Sequence, residues 1–295
     1  MTFSHLPAFL ATCFARLATA LDRRSALRLP LLLCGLLRAS GRRTCTSWFR
    51  AAGIRDDFRN AYTVVWACGR QAQSVAIRLL PTVDPLLAGP RLLLAIDDTP
   101  TARWGPDIEG AGLHHNPSPG PAGEKLVYGH RWVTLAALAK QPQRGTIALP
   151  LLNQLCVRHK DIAKLDADRR PPFRTKRQLA AQQLHGITVW RGQHYQDVWV
   201  VVDGGYSKRS LLRSAKQDKV VVVGRLAKNA ALWSLPKTPP PGRRGRKPIY
   251  GKQRLVLHLR AGQPRGWEQV ECVQYRQQVV KRCDVSWPPG NRPGA

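Results

Sequence analysis

The stretch "LLLAIDDTP", residues 92–100, runs five apolar residues into two adjacent aspartates and a threonine. A second stretch, "VVVDGGYSK" at residues 200–208, also ends an apolar run in an aspartate, and two glycines follow. Apolar runs of this kind, rich in Val, Leu and Ile, are typical of buried strands. Asp97 and Asp203 are therefore expected at the carboxyl ends of two strands, where ligands collect in an open α/β sheet.

The rest of the chain after Pro90 continues this pattern of buried strands. The apolar runs cover residues 91–96, 131–139, 146–152, 198–203 and 219–226. Helical segments, roughly residues 176–184 and 207–217, precede the fourth and the fifth run. The order of three strands, helix, strand, helix and strand predicts an α/β core in which helices cover the sheet.

The chain before Pro90 has a different periodicity. From Phe3 to about Leu80, apolar residues recur at helical spacing, which predicts a domain of four or five short helices over residues 1–88. Residues 40–66 contain a Thr/Ser cap, a short helix, a Gly turn and a second helix, which is a weak helix-turn-helix pattern. Arg42 and Arg43 in this segment are candidate DNA contacts. The alternative is an ordinary helical hairpin with a solvated basic face.

The chain beyond the predicted core, which spans residues 89–235, changes composition again. Residues 236–252 form a proline-rich basic segment, and residues 253–260 and 267–280 read as strands of a partial β-rich insertion over 236–295. Closely spaced Arg and Lys side chains beside Gly and Pro suit a narrow minor groove, although a solvated loop is the alternative. The candidate DNA contacts here are Arg243, Arg244, Arg246 and Lys247.

The charge of the chain points to a polyanionic partner. With 47 Lys and Arg against 18 Asp and Glu, the formal net charge is +29. Such a charge favours binding to the phosphates of double-stranded DNA. Arg greatly outnumbers Lys, so a GC-rich genome is the alternative explanation of part of this excess.

The sequence also indicates the cellular compartment of the protein. Its apolar run at residues 29–37 is too short to span a bilayer, so no membrane contact is expected. The seven cysteines form no Cys-x-x-Cys pair, and their odd number argues against a disulfide framework. A cytoplasmic, reducing location is therefore predicted.

Two carboxylates brought together at strand ends repel each other unless a cation lies between them. Oxygen ligands favour Mg²⁺ or Mn²⁺, and in a basic protein this predicts phosphodiester chemistry with two metal ions. The alternative for each residue is structural, since an Asp after a strand often caps the following turn.

Four blocks of this sequence resemble the DDE transposases of bacterial insertion sequences. They are "AIDDTPTARWGPDIEGAGLHHNPS" at residues 95–118, "KLVYGHRWVTLAALA" at 125–139, "VVVDGGYSK" at 200–208 and "GRRGRKPIYG" at 242–251. The resemblance covers about residues 40–260. It implies an RNase H-like core, that is, a mixed sheet with flanking helices, and metal-dependent DNA cleavage and strand transfer at transposon ends.

The resemblance also assigns residues. The family's Asp-x-Thr first acid corresponds to Asp97, with Thr99 completing the motif, and its second acid corresponds to Asp203. Asp98 is then a supporting neighbour, although the sequence alone could exchange it with Asp97. The same resemblance implies Mg²⁺ or Mn²⁺ as cofactor, assembly as a homodimer on DNA, and association with the bacterial nucleoid.

The family's third acid has no match in this sequence. It is a glutamate on a late helix, in a Tyr-x-x-Arg-x-x-x-Glu pattern, but here Arg276 follows Tyr275 directly and no Glu follows Glu271. This departure predicts a chain truncated before the third-acid helix, which binds transposon DNA but does not cut it. The alternatives are a non-catalytic DNA-binding remnant and another kind of RNase H-like nuclease.

Overall fold

The computed structural model describes residues 7–42, 44–56, 58–87, 89–105, 107–116, 123–191, 195–226, 230, 232–234, 236, 245, 250–262, 268–270 and 280–282. The helices are α1 (Ala8–Ala18), α2 (Arg23–Arg38), α3 (Cys45–Ala51), α4 (Arg59–Arg70), α5 (Ala72–Val83), α6 (His159–Ile162), α7 (Lys176–Arg191), α8 (Arg209–Gln217) and α9 (Leu257–Ala261). The strands are β1 (Arg91–Ala102), β2 (Gly112–His115), β3 (Leu126–Gln141), β4 (Gly145–Leu155), β5 (Asp197–Val202), β6 (Val220–Gly224), β7 (Leu232–Trp233), β8 (Arg254–Leu255), β9 (Glu268–Val270) and β10 (Val280–Arg282).

Helices α1 to α4 pack around a small apolar core of their own. Asp22 caps α2, because its carboxylate accepts hydrogen bonds from the backbone N–H groups of Arg24 and Ser25. Thr44 caps α3 in the same way through the N–H of Ser47. The buried residues of this core are Ala18, Leu29, Leu32, Phe49, Ala61 and Val64. The helical periodicity of the sequence thus corresponds to real helices before β1.

Helices α2 and α3 approach each other closely at Gly35. A Cβ atom at this position would lie 2.2 Å from the backbone oxygen of Trp48 in α3, which is closer than any real contact. After α3, the chain turns at Gly53, whose φ of +83° favours glycine, and then continues into α4. The helix, turn and helix therefore occur in the predicted order, and their contact with DNA stays a prediction.

A mixed sheet follows the N-terminal helices. The strand order is β2-β3-β1-β5-β6, with β4 also paired to β3. Strand β3 runs antiparallel to β1, β2 and β4, whereas β1, β5 and β6 are mutually parallel. This mixed sheet with packed helices is consistent with the RNase H-like core that the sequence resemblance implies.

The sheet buries one face under α5, α7 and α8. Its core includes Leu92, Leu94 and Ile96 of β1, and the helices contribute residues such as Leu80 of α5 and Leu184 of α7. Because strand side chains alternate, the odd-numbered residues of β1 and β5 belong to the opposite face. Val201, Val221 and Val223 on that face are each 44% exposed.

Three details differ from the sequence prediction. Strand β1 does not end at Asp97 but runs on to Ala102, paired only with β3 beyond Ile96. The short strand β2 was not predicted, because four residues inside a Gly- and Pro-rich segment give no readable alternation. Residues 257–260, predicted as part of a strand, lie in α9, since Leu and Arg favour a helix and a short apolar run does not distinguish the two structures.

In the part of the chain that the structure describes, no helix has the length and apolar character needed to cross a membrane.

Candidate active site

Asp203 directly follows the last residue of β5. Its Oδ1 accepts a hydrogen bond of 3.0 Å from the backbone N–H of Tyr206, and its carbonyl oxygen accepts one of 3.1 Å from the hydroxyl of Ser207. Asp203 thus has the turn-capping role that the sequence left open. This turn uses Oδ1 of the carboxylate, and Asp203 is exposed.

Asp97 lies on β1 at the point where β1 loses its parallel partner. Ile96 pairs with Val202, the last residue of β5, so Asp97 and Asp203 each come one residue after this pair. Neighbouring strands are about 4.8 Å apart, which brings the two main chains close together. Asp97 is exposed, and its Oδ1 accepts a hydrogen bond of 2.8 Å from the N–H of Asp98.

The surroundings of Asp97 on its own face of the sheet are polar. Thr134 of β3 lies directly opposite Asp97, and its hydroxyl donates a hydrogen bond of 2.6 Å to Oδ1 of Asn153 on β4. Thr99 lies two residues further along the same face and is exposed. A row of oxygen-bearing side chains therefore crosses β1, β3 and β4 at this level.

Asp98 points to the other side and is held by two cations. Its side chain is only 11% exposed, and its Oδ1 lies 2.6 Å from Nζ of Lys176, the first residue of α7. Its Oδ2 lies 3.4 Å from Nε of Arg131 on β3. Both carboxylate oxygens of Asp98 are therefore engaged, which fits a supporting residue.

The ammonium group of Lys176 lies beside Asp203 as well. The position of a Cβ atom at Gly205 is 3.2 Å from both carboxylate oxygens of Asp203 and 3.5 Å from Nζ of Lys176. The Lys176 ammonium group, which pairs with Asp98, therefore lies within about 7 Å of the carboxylate oxygens of Asp203. Asp97 and Asp203 offer only carboxylate oxygens, which is the type of ligand that Mg²⁺ and Mn²⁺ prefer.

Tyr206 forms the buried floor of this region. Its side chain is fully buried, and its ring lies 4.9 Å from Nζ of Lys176 in a cation–π contact. Its hydroxyl is near enough to Asp98 to interact with its charge, yet among the described residues it has no hydrogen-bond partner of normal geometry. Burial, and then the charge of Asp98, raise the pKa of Tyr206, so the phenol stays protonated.

A third acidic ligand is not found in the described ranges. Within them, no three His, Cys, Asp or Glu side chains are grouped so that they could hold a metal ion. Glu268 is the first residue of β9, while Glu271 lies outside the described residues.

His114 is buried in β2, where burial, followed by the charges of Arg131 and Arg158, lowers its pKa and keeps the ring neutral.

The predicted DNA contacts can be placed only in part. Arg42 is exposed in the turn between α2 and α3. The remaining candidates, Arg43, Arg243, Arg244, Arg246 and Lys247, lie outside the described residues.

Sequence reasoning missed the residues that surround the carboxylates. Lys176 and Arg131 contact Asp98 across the fold, and neither belongs to a motif with it. The one available signal was the position of Lys176 at the start of the helix predicted over residues 176–184. A residue at a helix start, one element before the Asp203 strand, is well placed to reach the same edge of the sheet.

Comparison with known proteins identifies a family for this chain. The family model described as "DDE superfamily endonuclease" matches residues 16–293 of the chain. No curated protein matches the sequence.

Proposed function

Since the chain belongs to the DDE superfamily endonucleases, we propose that it is an insertion-sequence transposase, of the kind that uses metal ions for DNA strand cleavage and transfer at transposon ends. Residues 1–295 bind transposon ends and metal but do not cleave DNA, because the described residues lack a third acidic ligand. The observation that carries this proposal is the placement of Asp97 and Asp203, each one residue beyond the paired residues Ile96 and Val202. Double-stranded DNA is the proposed substrate, consistent with the net charge of +29. We further propose a homodimer on DNA, in the nucleoid of a bacterial cytoplasm.

Asp97 and Asp203 are the proposed ligands of Mg²⁺ or Mn²⁺. A bound metal ion would activate the attacking oxygen and stabilise the leaving oxygen of a phosphodiester. Asp98 supports the site by holding Lys176 and Arg131, both of which lie within 3.4 Å of its oxygens. Thr99 lies on the same exposed face of β1 as Asp97, and a DNA strand has access to this face.

A second candidate is a DNA-binding transposase remnant without catalysis. It is favoured by the lack of any group of three metal-ligating side chains within the described ranges. Both candidates bind DNA, but only the first requires metal at Asp97 and Asp203. Metal binding therefore separates them without reference to catalytic rate.

Replacing Asp203 by Asn is expected to weaken Mn²⁺ binding by at least about tenfold, because a direct ligand matters no less than its supporting groups. Asp97→Asn should act alike. Titration of Mn²⁺ followed by electron paramagnetic resonance measures the free ion. The matched control is Asp197→Asn at the opposite end of β5, where Asp197 forms an exposed ion pair with Arg91. Equal Mn²⁺ affinity of wild type, Asp97→Asn and Asp203→Asn would reject the metal site.

Replacing Lys176 by Met is expected to raise the affinity for Mn²⁺ about fivefold, because on the order of 1 kcal/mol of Coulomb repulsion is removed. The same titration measures this gain. Lys164→Met is the control, since Lys164 pairs with Asp161 instead. An unchanged or lower Mn²⁺ affinity of Lys176→Met, in protein of unchanged melting temperature, would mean that Lys176 only holds Asp98 in place.

A further inference from the structure

A basic cavity lies next to the candidate active site. It has a volume of about 540 Å³, and the described residues that line it are Arg177, Lys208, Arg209, Ser210 and Arg213. Four of these five side chains are cationic, and none is acidic. Arg177 lies on α7, and the other four residues lie on α8 or, in the case of Lys208, directly before it.

The cavity shares its walls with the carboxylate site. Arg177 directly follows Lys176, the residue that contacts Asp98. Its Nε donates a hydrogen bond of 3.0 Å to the carbonyl oxygen of Gly205, which belongs to the turn after Asp203. The same turn continues through Ser207 to Lys208, which precedes α8. One wall of the cavity and one wall of the active site are thus built by consecutive residues.

Three of the four cationic side chains that line the cavity are not paired with a carboxylate of the described residues. Among the described residues, Arg177, Lys208 and Arg213 form no ion pair with Asp or Glu. Like charges that converge on one cavity repel each other, so the folded protein gains stability from an anion bound there. Arginine forks and a serine hydroxyl match the oxygens of a phosphate group.

We propose that this cavity binds one backbone phosphate of the DNA strand, close to the phosphodiester that faces Asp97 and Asp203. This inference rests on the proposed function, since it takes DNA as the occupant. A strand anchored here passes over the turn at Gly205 and reaches the carboxylates. The cavity therefore positions the strand by its backbone and reads no base.

The experiment measures binding of a short fluorescein-labelled DNA duplex by anisotropy, across a series of KCl concentrations. Arg213→Gln, Arg177→Gln and the double variant are compared with wild type. Loss of one phosphate contact lowers the slope of log K against log salt by about 0.9 in magnitude. Because both arginines serve the same phosphate, the double variant should lose this one contact only, and the single effects should not add.

The matched control is Arg144→Gln. Arg144 is exposed in the turn between β3 and β4, beyond Gln141, at the end of the sheet remote from Asp97. Its salt slope should equal that of the wild type. Arg213 is exposed on α8, so Arg213→Gln should retain the melting temperature even where Arg177→Gln disturbs the turn at Gly205.

Two failures are distinguishable. If the wild type binds DNA with a salt-dependent affinity but all three cavity variants keep its slope, the cavity is not a phosphate site and the proposed function stands. If the wild type itself fails to bind DNA, the proposed function fails. Competition of inorganic phosphate for the wild-type complex, at a concentration where KCl of equal ionic strength has no effect, would support the inference, because the free anion and the DNA phosphate would then share one site.

Discussion

Raising the salt concentration from about 50 to about 200 mM is expected to weaken binding of duplex DNA by about 10³- to 10⁵-fold, if about six to ten phosphates are contacted. The physical reason is the release of counterions from DNA when Lys and Arg neutralise its phosphates. The chain carries a net charge of +29, and basic residues occur in its helical, core and proline-rich segments. Fluorescence anisotropy with duplexes of unrelated sequence measures both the slope and the lack of base discrimination.

A melting curve at both salt concentrations controls for unfolding, so that a lost affinity is not mistaken for a lost fold. Salt-insensitive binding, or no binding, would leave the excess of Arg as a consequence of genome composition. The DNA part of the proposed function would then have no support.

Residues 1–295 are expected to nick supercoiled plasmid no faster in Mg²⁺ than in EDTA. Relative to a site with three acidic ligands, this is a loss of several orders of magnitude, since positioning and charge stabilisation supply most of the rate of phosphoryl transfer. The structural reason is that the described residues hold no third metal-ligating side chain with Asp97 and Asp203. Conversion of supercoiled to open-circular plasmid measures the rate.

Asp203→Asn serves as the control, and its rate should equal that of the wild type. Efficient Mg²⁺-dependent nicking that Asp203→Asn abolishes would contradict this prediction. Such nicking would place the third acid at Glu268 of β9 or among the residues outside the described ranges, such as Glu271. Glu271→Gln and Glu268→Gln would then identify it.

The central strands were predictable because their sequence signal is strong and local. Residues 92–96 and 198–202 are continuous apolar runs, and in the structure they form most of the paired, mutually parallel part of β1 and β5. The end of β1 was not predictable. Residues 97–102 are polar enough to read as a loop, yet pairing with β3 extends the strand through them. Tertiary pairing therefore overrode the local composition.

At residues 257–261, the sequence predicted a strand over most of a segment that forms a helix. The alternation in "QRLVLHLR" predicts a strand, but only Arg254 and Leu255 join one, and the following residues turn into α9. Leu and Arg are good helix formers, so the alternation over so few residues carried little weight.

The residues of the candidate site also include some that were predictable from the sequence and some that were not. Asp97 and Asp203 were predictable because each follows an apolar run, a pattern that lies within a few residues of sequence. The contact of Lys176 with Asp98 was not, because 78 positions separate the two residues and only the packing of α7 on the sheet joins them. Asp98 also pairs with Arg131 of the neighbouring strand β3, which lies 33 positions along the chain. The sequence thus indicates which carboxylates lie at the ends of the parallel strands, whereas the cations that contact Asp98 follow only from the packing of the fold.

An anomalous difference map from crystals soaked in MnCl₂ tests the proposed metal site most directly. We expect a Mn²⁺ peak bound by carboxylate oxygens of both Asp97 and Asp203, at roughly 2.2 Å from each, in the range of carboxylate–metal bonds. The lack of a peak there, or a separation of the two carboxylates of more than about 10 Å, would contradict this site, since shared metal ions about 4 Å apart require far closer ligands.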